Sequence, residues 1–139
     1  MINKYIEQIN DNTSFILING ETIIKDKGNG VKPIINIINN NKSLLNNSIV
    51  IDKIIGKAAA LLLTKYKVKQ VSSLIMSQSA IDIFLSYGIE YSYKTLVANI
   101  LNRSNTGLCP LEDVVKDTND IEVAEELIRN RINELMSHG

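Results

Sequence analysis

Between Ile49 and Tyr93 the chain changes its apolar rhythm four times, and this alternation constrains the fold more than any other feature of the sequence. Ile49-Val50-Ile51 is short, β-branched and apolar throughout, as a buried central strand would be. Gly56 to Tyr66 follows as an almost wholly apolar helix, in which Ala58, Ala59 and Ala60 are small enough to let the backbone press against a sheet. Val71 to Met76 reads as a second strand, Ser79 to Tyr87 as a helix stopped by Gly88, and Ile89 to Tyr93 as a short strand. Strands alternating with helices favour parallel pairing through right-handed crossovers.

The flanking segments extend this unit. Ile2, Ile6 and Ile9 recur at three- and four-residue intervals, which predicts a short N-terminal helix ending near Asp11-Asn12. Phe15 to Ile18 and Thr22 to Lys25 are β-prone runs on either side of Asn19-Gly20, a pair that supplies the positive φ angles of a two-residue hairpin turn. Gly28-Asn29-Gly30 is a flexible loop leading to Val31, Ile34, Ile35 and Ile38 on one helical face, with Pro33 in the first turn. Asn39 to Asn41 reads as a polar helix end or loop. Beyond the polar loop 102–107, Pro110 opens a short helix. A last helix from about Asp120 to Met136 places Ile121, Ala124, Ile128 and Leu135 on one face. Its early Glu122, Glu125 and Glu126 and late Arg129 and Arg131 suit the helix dipole and read as a solvated face. The expected fold is a single α/β domain over residues 1–139, a three-layer α/β/α arrangement around a mixed sheet, with its core at about 14–112.

Composition bounds the partners. At 139 residues and 45% hydrophobic, the chain has room for one domain and an adequate core. Fifteen Lys plus Arg balance fifteen Asp plus Glu, so no global positive field is available for nucleic acid or an anionic membrane. Lys65, Lys67 and Lys69 form a small basic cluster without interleaved aromatic side chains and read as a solvated connection. Tyr87, Tyr91 and Tyr93 read as packing groups rather than a base-stacking platform. The sole cysteine excludes an intramolecular disulfide. Nothing at the N-terminus has the pattern of a signal peptide, and the longest apolar runs are too short for a membrane span; a soluble, cytoplasmic protein is expected.

The order helix, hairpin, helix, strand, helix, strand, helix, strand resembles the cytidine-deaminase-like fold. The stretches 28–33 (Gly-Asn-Gly-Val-Lys-Pro), 52–60 (Asp-Lys-Ile-Ile-Gly-Lys-Ala-Ala-Ala) and 102–112 (Asn-Arg-Ser-Asn-Thr-Gly-Leu-Cys-Pro-Leu-Glu) look like a family of uncharacterised bacterial and archaeal proteins with that fold. The likeness runs from about Ser14 to Glu112 and implies a zinc-lacking relative of the deaminases, a domain of unknown function. True deaminases use a His or Cys followed two residues later by a general-acid/base Glu, then Pro-Cys-x-x-Cys, to hold a zinc ion that activates water. At the equivalent helix starts this chain has Gly30-Val31-Lys32 and Asp52 to Lys57, with no such ligands, and Cys109 and His138 alone cannot complete a zinc site. No metal and no other cofactor is expected.

Candidate residues gather around the two vacated helix starts, where exposed N–H groups and the positive dipole end favour anions. Gly28, Gly30, Gly56 and Lys57 are candidates to hold a phosphate or carboxylate; their plain alternative is a turn, a relieved helix–sheet contact and a solvated lysine. Asp52, with Lys53 beside it, closes a predicted central strand, where open α/β sheets place ligands; its alternative is a helix cap or an ion pair with Lys53 or Lys57. Arg103 offers a planar fork to an anion, with Asn102, Thr106 and Gly107 around it, or the same residues simply stabilise their loop. Cys109, before Pro110, is either an activated thiol at a helix start or a packed residue. The leading expectation is a zinc-independent domain that binds a small ligand, a nucleotide or another anionic metabolite, in a sensing or regulatory role. A metal-free enzyme acting on a nucleobase-like or carbonyl substrate, with Cys109 as nucleophile and Asp52 or Glu112 moving protons, is the alternative. A ligand-free protein-interaction module is the third, and a second copy of the chain stays open as a partner.

Overall fold

A computed structural model describes residues 2–138, leaving aside the side chains of Ile2, Asn3 and His138, two of which belong to the expected N-terminal stripe and the discounted ligand pair. A short helix α1 (Ile2–Ile6) precedes the hairpin β1 (Phe15–Asn19) and β2 (Thr22–Asp26). Asn19 pairs with Thr22, so the two-residue turn is Gly20-Glu21, one position later than expected. Gly20 sits at its first central position with φ of 60°, which a residue with a Cβ adopts at a cost. The Asn19 side chain leaves the turn and donates to the carbonyls of Leu44 and Asn46 instead.

Helix α2 (Lys32–Asn41) carries Pro33 in its first turn, and a 3-10 turn (Lys42–Leu45) leads into β3 (Ile49–Ile55). Helix α3 (Lys57–Lys65), β4 (Gln70–Ser77), α4 (Gln78–Tyr87) and β5 (Glu90–Val97) complete two crossovers. The Ser77 hydroxyl accepts from Ala80 N at the start of α4, and Gly88, at φ of 71°, closes its end. Strands β3 and β5 both run past their apolar stretches, because ladder pairing continues through Asp52-Lys53 and through Lys94-Thr95 whatever the side chains prefer. The five strands lie in the order β2-β1-β3-β4-β5, with the pairs around β1 antiparallel and the others parallel.

Helices cover both faces of this mixed sheet, unequally. Phe15, Leu17, Val50 and Val71 face a large core shared with α2, α3 and α4, whereas Ile16, Ile18 and Ile51 face a small one closed by Ile6 and Ile9. Outside α3 lie α5 (Pro110–Val115) and α6 (Ile121–His138), which bury Val115, Ala124 and Ile128. Helix α3 therefore touches protein all round, which is why Ala58 to Leu63 are apolar without interruption.

The charged side of α6 is not simply solvated. Glu125 accepts from Tyr66 Oη and pairs with Lys65 Nζ at 3.0 Å and Arg129 Nε at 2.9 Å, while Arg129 also reaches Asn39 of α2. Lys65 is thus an anchor rather than part of a free basic cluster. Burial alone would raise the Glu125 pKa, but the hydrogen bonds from Tyr66, Arg129 and Lys65 hold it down at about 2. Leu135, expected on the apolar face, is 42% exposed because α6 outruns the core beneath it.

Candidate functional site

Helix α3 begins at the C-terminal end of β3 with no capping side chain of its own, since Gly56 occupies the cap position. The acceptor comes from 55 residues away: Lys57 N donates to Glu112 Oε1 at 2.7 Å and Ala58 N donates to Glu112 Oε2 at 2.8 Å. Pro110, at the head of α5, starts the turn that points Glu112 inward. A Cβ on residue 56 would lie 2.6 Å from Glu112 Cδ and 2.8 Å from Ile100 Cγ1, so glycine is required for this approach. Burial pushes the Glu112 carboxyl above its ordinary pKa, against the two amide hydrogen bonds and the Lys57 charge.

The anion expected at this helix start is therefore part of the protein. Lys57 turns away, buried, and donates its Nζ to the Lys116 carbonyl at 3.1 Å, which ties α3 to the end of α5 instead of presenting a charge to a ligand. Gly28 is held by its neighbours: its N–H donates to Asp26 Oδ1 at 2.7 Å and its carbonyl accepts from Ser14 Oγ at 2.6 Å. Gly30, at φ of 58°, turns the chain into α2.

A cleft of about 310 Å3 opens beside this junction. Asn29, Gly30 and Val31 form one wall, Ile54, Gly56, Ala58 and Ala59 the floor, and Ile100, Leu101, Arg103, Cys109, Leu111 and Glu112 the other wall. Its lining is mainly apolar, and its size falls at the lower end of the range of small-ligand pockets. The second wall is a self-braced loop. Asn102 N donates to the Gly107 carbonyl, Cys109 N to the Ile100 carbonyl, Asn102 Nδ2 to Thr106 Oγ1, and Thr106 N to Asn102 Oδ1. Asn102, Thr106 and Gly107 thus shape the loop, while the exposed guanidinium of Arg103 stands at the cleft with no ion pair among the described residues. Cys109 is half-buried in the same wall.

Asp52 sits elsewhere. It lies opposite Phe15 and Ser73 in the sheet, 4% exposed, and does not line the cleft. Oδ1 accepts from Lys53 N at 2.8 Å, Oδ2 has no partner, and burial raises the pKa to about 8. It caps no helix and pairs with neither lysine; Lys53 faces the exposed Asp11 at 3.8 Å. The clamp by Glu112 and the contributions of Asn29, Ile54 and Ile100 escape sequence reasoning. One signal was present, because a buried helix start with glycine at its cap needs an acceptor from another element.

The residues around the start of α3 do not fit a zinc ion. Both Glu112 oxygens are engaged by amide N–H groups, and Cys109 is the one thiol in the chain. Among the described residues no three His, Cys, Asp or Glu side chains gather as a metal site, and no helix is long and apolar enough to cross a membrane.

A family model described as TM1506, a domain of unknown function (DUF1893), matches residues 2–132. The crystal structure of the DUF1893 protein TM1506 from Thermotoga maritima aligns with 96% of this chain and 86% of its own, at 29% identity and a TM-score of 0.79. The apo structure of a dCMP deaminase from the cyanophage S-TIM5 aligns with 65% of this chain and 89% of its own, at 12% identity and a TM-score of 0.46. No curated protein matches the sequence.

Proposed function

The chain belongs to the DUF1893 family, whose function is undefined, and from that premise we propose that it is a zinc-independent binding domain for a small anionic metabolite, acting as a cytoplasmic sensor or regulatory partner. The ligand's flat apolar body lies in the cleft against Ile54, Ala58 and Ile100, and its phosphate or carboxylate meets Arg103 at the rim. The observation that carries this reading is the division of labour between two charges. Glu112 already satisfies the α3 N–H groups, which leaves Arg103 as the cationic side chain that lines the cleft. A nucleotide has the required combination of a flat body and an anionic end.

Cys109 in the same wall supports a second reading, a metal-free enzyme. That reading needs a base beside the thiol, and the neighbouring carboxylate, Glu112, is committed to two amides. The binding reading uses the cleft as it stands.

Thermal denaturation with a panel of nucleoside 5′-monophosphates, and with the matching nucleosides, tests the proposal. At least one monophosphate should raise the melting temperature more than its nucleoside, and Arg103→Ala should abolish most of the difference by removing the anion contact. No shift from any monophosphate at millimolar concentration, or an unchanged shift in Arg103→Ala, overturns it.

A further inference from the structure

Strand β5 is an open edge of the sheet, bonded to β4 on one side, and six of its eight residues are exposed. Such an edge presents a row of unpaired N–H and C=O groups, and proteins usually blunt it with a proline, a bulge or repelling charges. Glu90 to Val97 contains no proline and no glycine. Its two charges are opposite in sign and four residues apart, with Ser92 midway between them.

That spacing makes the segment self-complementary. In an antiparallel pair of two β5 strands centred on Ser92, Glu90 of each copy lies across from Lys94 of the other, and Tyr91 lies across from Tyr93. Alternation along the strand puts the two ion pairs on one face and the four tyrosines on the opposite face. The tyrosine face is already organised within one copy: Tyr91 stacks on Phe84 with centroids 6.1 Å apart and on Tyr93 at 6.5 Å, the latter pair within 5° of parallel. Tyr93, 40% exposed, is the unfinished end of this stack. The other edge repeats this charge spacing in Glu21 and Lys25, but Glu21 lies in the hairpin turn outside β2. Pairing β2 with itself about Ile24 would set Thr22 against Asp26 and Ile23 against Lys25, and Lys25 is already bonded to Gln8.

We infer that the protein is a two-fold symmetric homodimer, in which the β5 strands of two copies pair antiparallel about Ser92 and join the sheets into one of ten strands. The occupant of the edge is a second copy of this chain, because its charge pattern complements itself in this register. This inference does not rest on the proposed ligand.

Sedimentation velocity or light scattering on the full chain, with circular dichroism to verify folding, tests the pairing through charge reversal. Wild type should be dimeric in the micromolar range. Glu90→Lys places two lysine pairs across the axis and Lys94→Glu two glutamate pairs, so each variant alone should weaken the dimer by about tenfold or more. Mixing the two variants restores both attractions and should return a heterodimer, and the double variant Glu90→Lys/Lys94→Glu should dimerise as wild type does. A monomeric wild type, single variants that dimerise undiminished, or a mixture that fails to associate would each overturn the inference.

Discussion

Replacing Glu112 by alanine isolates the contact that closes the cleft. The side chain supplies both acceptors for the N–H groups of Lys57 and Ala58, and it is 7% exposed. Hydrogen bonds to a charged group contribute about 1.5–3 kcal/mol each, so two would suggest a loss of about 3–6 kcal/mol. Two effects reduce that figure. The carboxylate is relieved of its burial, which had raised its pKa, and water from the adjoining cleft can reach the freed N–H groups. A net destabilisation of about 2–4 kcal/mol remains, a fall in melting temperature on the order of 10 °C for a chain of this size. The vacated helix start should then behave as an anion site, two N–H groups at the positive end of α3 with room where the carboxylate lay. Acetate or formate should restore part of the stability of Glu112→Ala while leaving wild type unmoved. Glu112→Gln should also be destabilised, because its amide NH2 faces a second donor, but it should resist rescue because the space is filled. The measurement is urea denaturation with and without acetate at constant ionic strength. If Glu112→Ala lies within about 0.5 kcal/mol of wild type, or responds to acetate no more than wild type, the clamp is not what holds α3 to α5.

Two carboxyls with displaced pKa values give further predictions. Asp52 has a folded pKa of about 8 against an ordinary value of 3.8, so the fold favours its protonated form. Wild-type stability should fall as pH rises from about 4 to about 8, by at most about 1.4 kcal/mol per pH unit, while Asp52→Asn should lack this component; urea titrations at pH 5 and pH 8 compare the two. Glu125 is the opposite case, with a pKa lowered to about 2. Its contribution is present above the ordinary glutamate range and is lost as pH falls through about 2, so Glu125→Gln should cost about 1–2 kcal/mol at pH 7 and little at pH 2, as read from acid denaturation curves.

What the sequence determined by itself was what depends on neighbours along the chain. Short β-prone runs marked the strands, an apolar period near 3.6 marked α1, α2 and α6, Gly88 marked the end of α4, and the alternation of elements from Ile49 to Tyr93 implied the two parallel crossovers. Three stretches of local sequence, around Gly28, Gly56 and Arg103, pointed to one region, and the tertiary structure brings Gly30, Gly56, Arg103, Cys109 and Glu112 around a single cleft. The roles of individual residues there were not legible. Lys57 and Arg103 are both cations offered by the sequence as anion-binding groups, yet one is buried against the Lys116 carbonyl and the other stands exposed, because only packing of α5 against α3 decides which has room to reach solvent. Glu112 and Asp52 are both acids that the sequence places beside the ends of apolar runs, although Asp52 proves to lie in the middle of β3. One meets two N–H groups from 55 positions away, and the other is sealed between Phe15 and Ser73 with an oxygen unpartnered. The charge state of a carboxyl depends on the water it loses and the donors it gains, and both are set by chain segments distant in sequence that only the fold brings together.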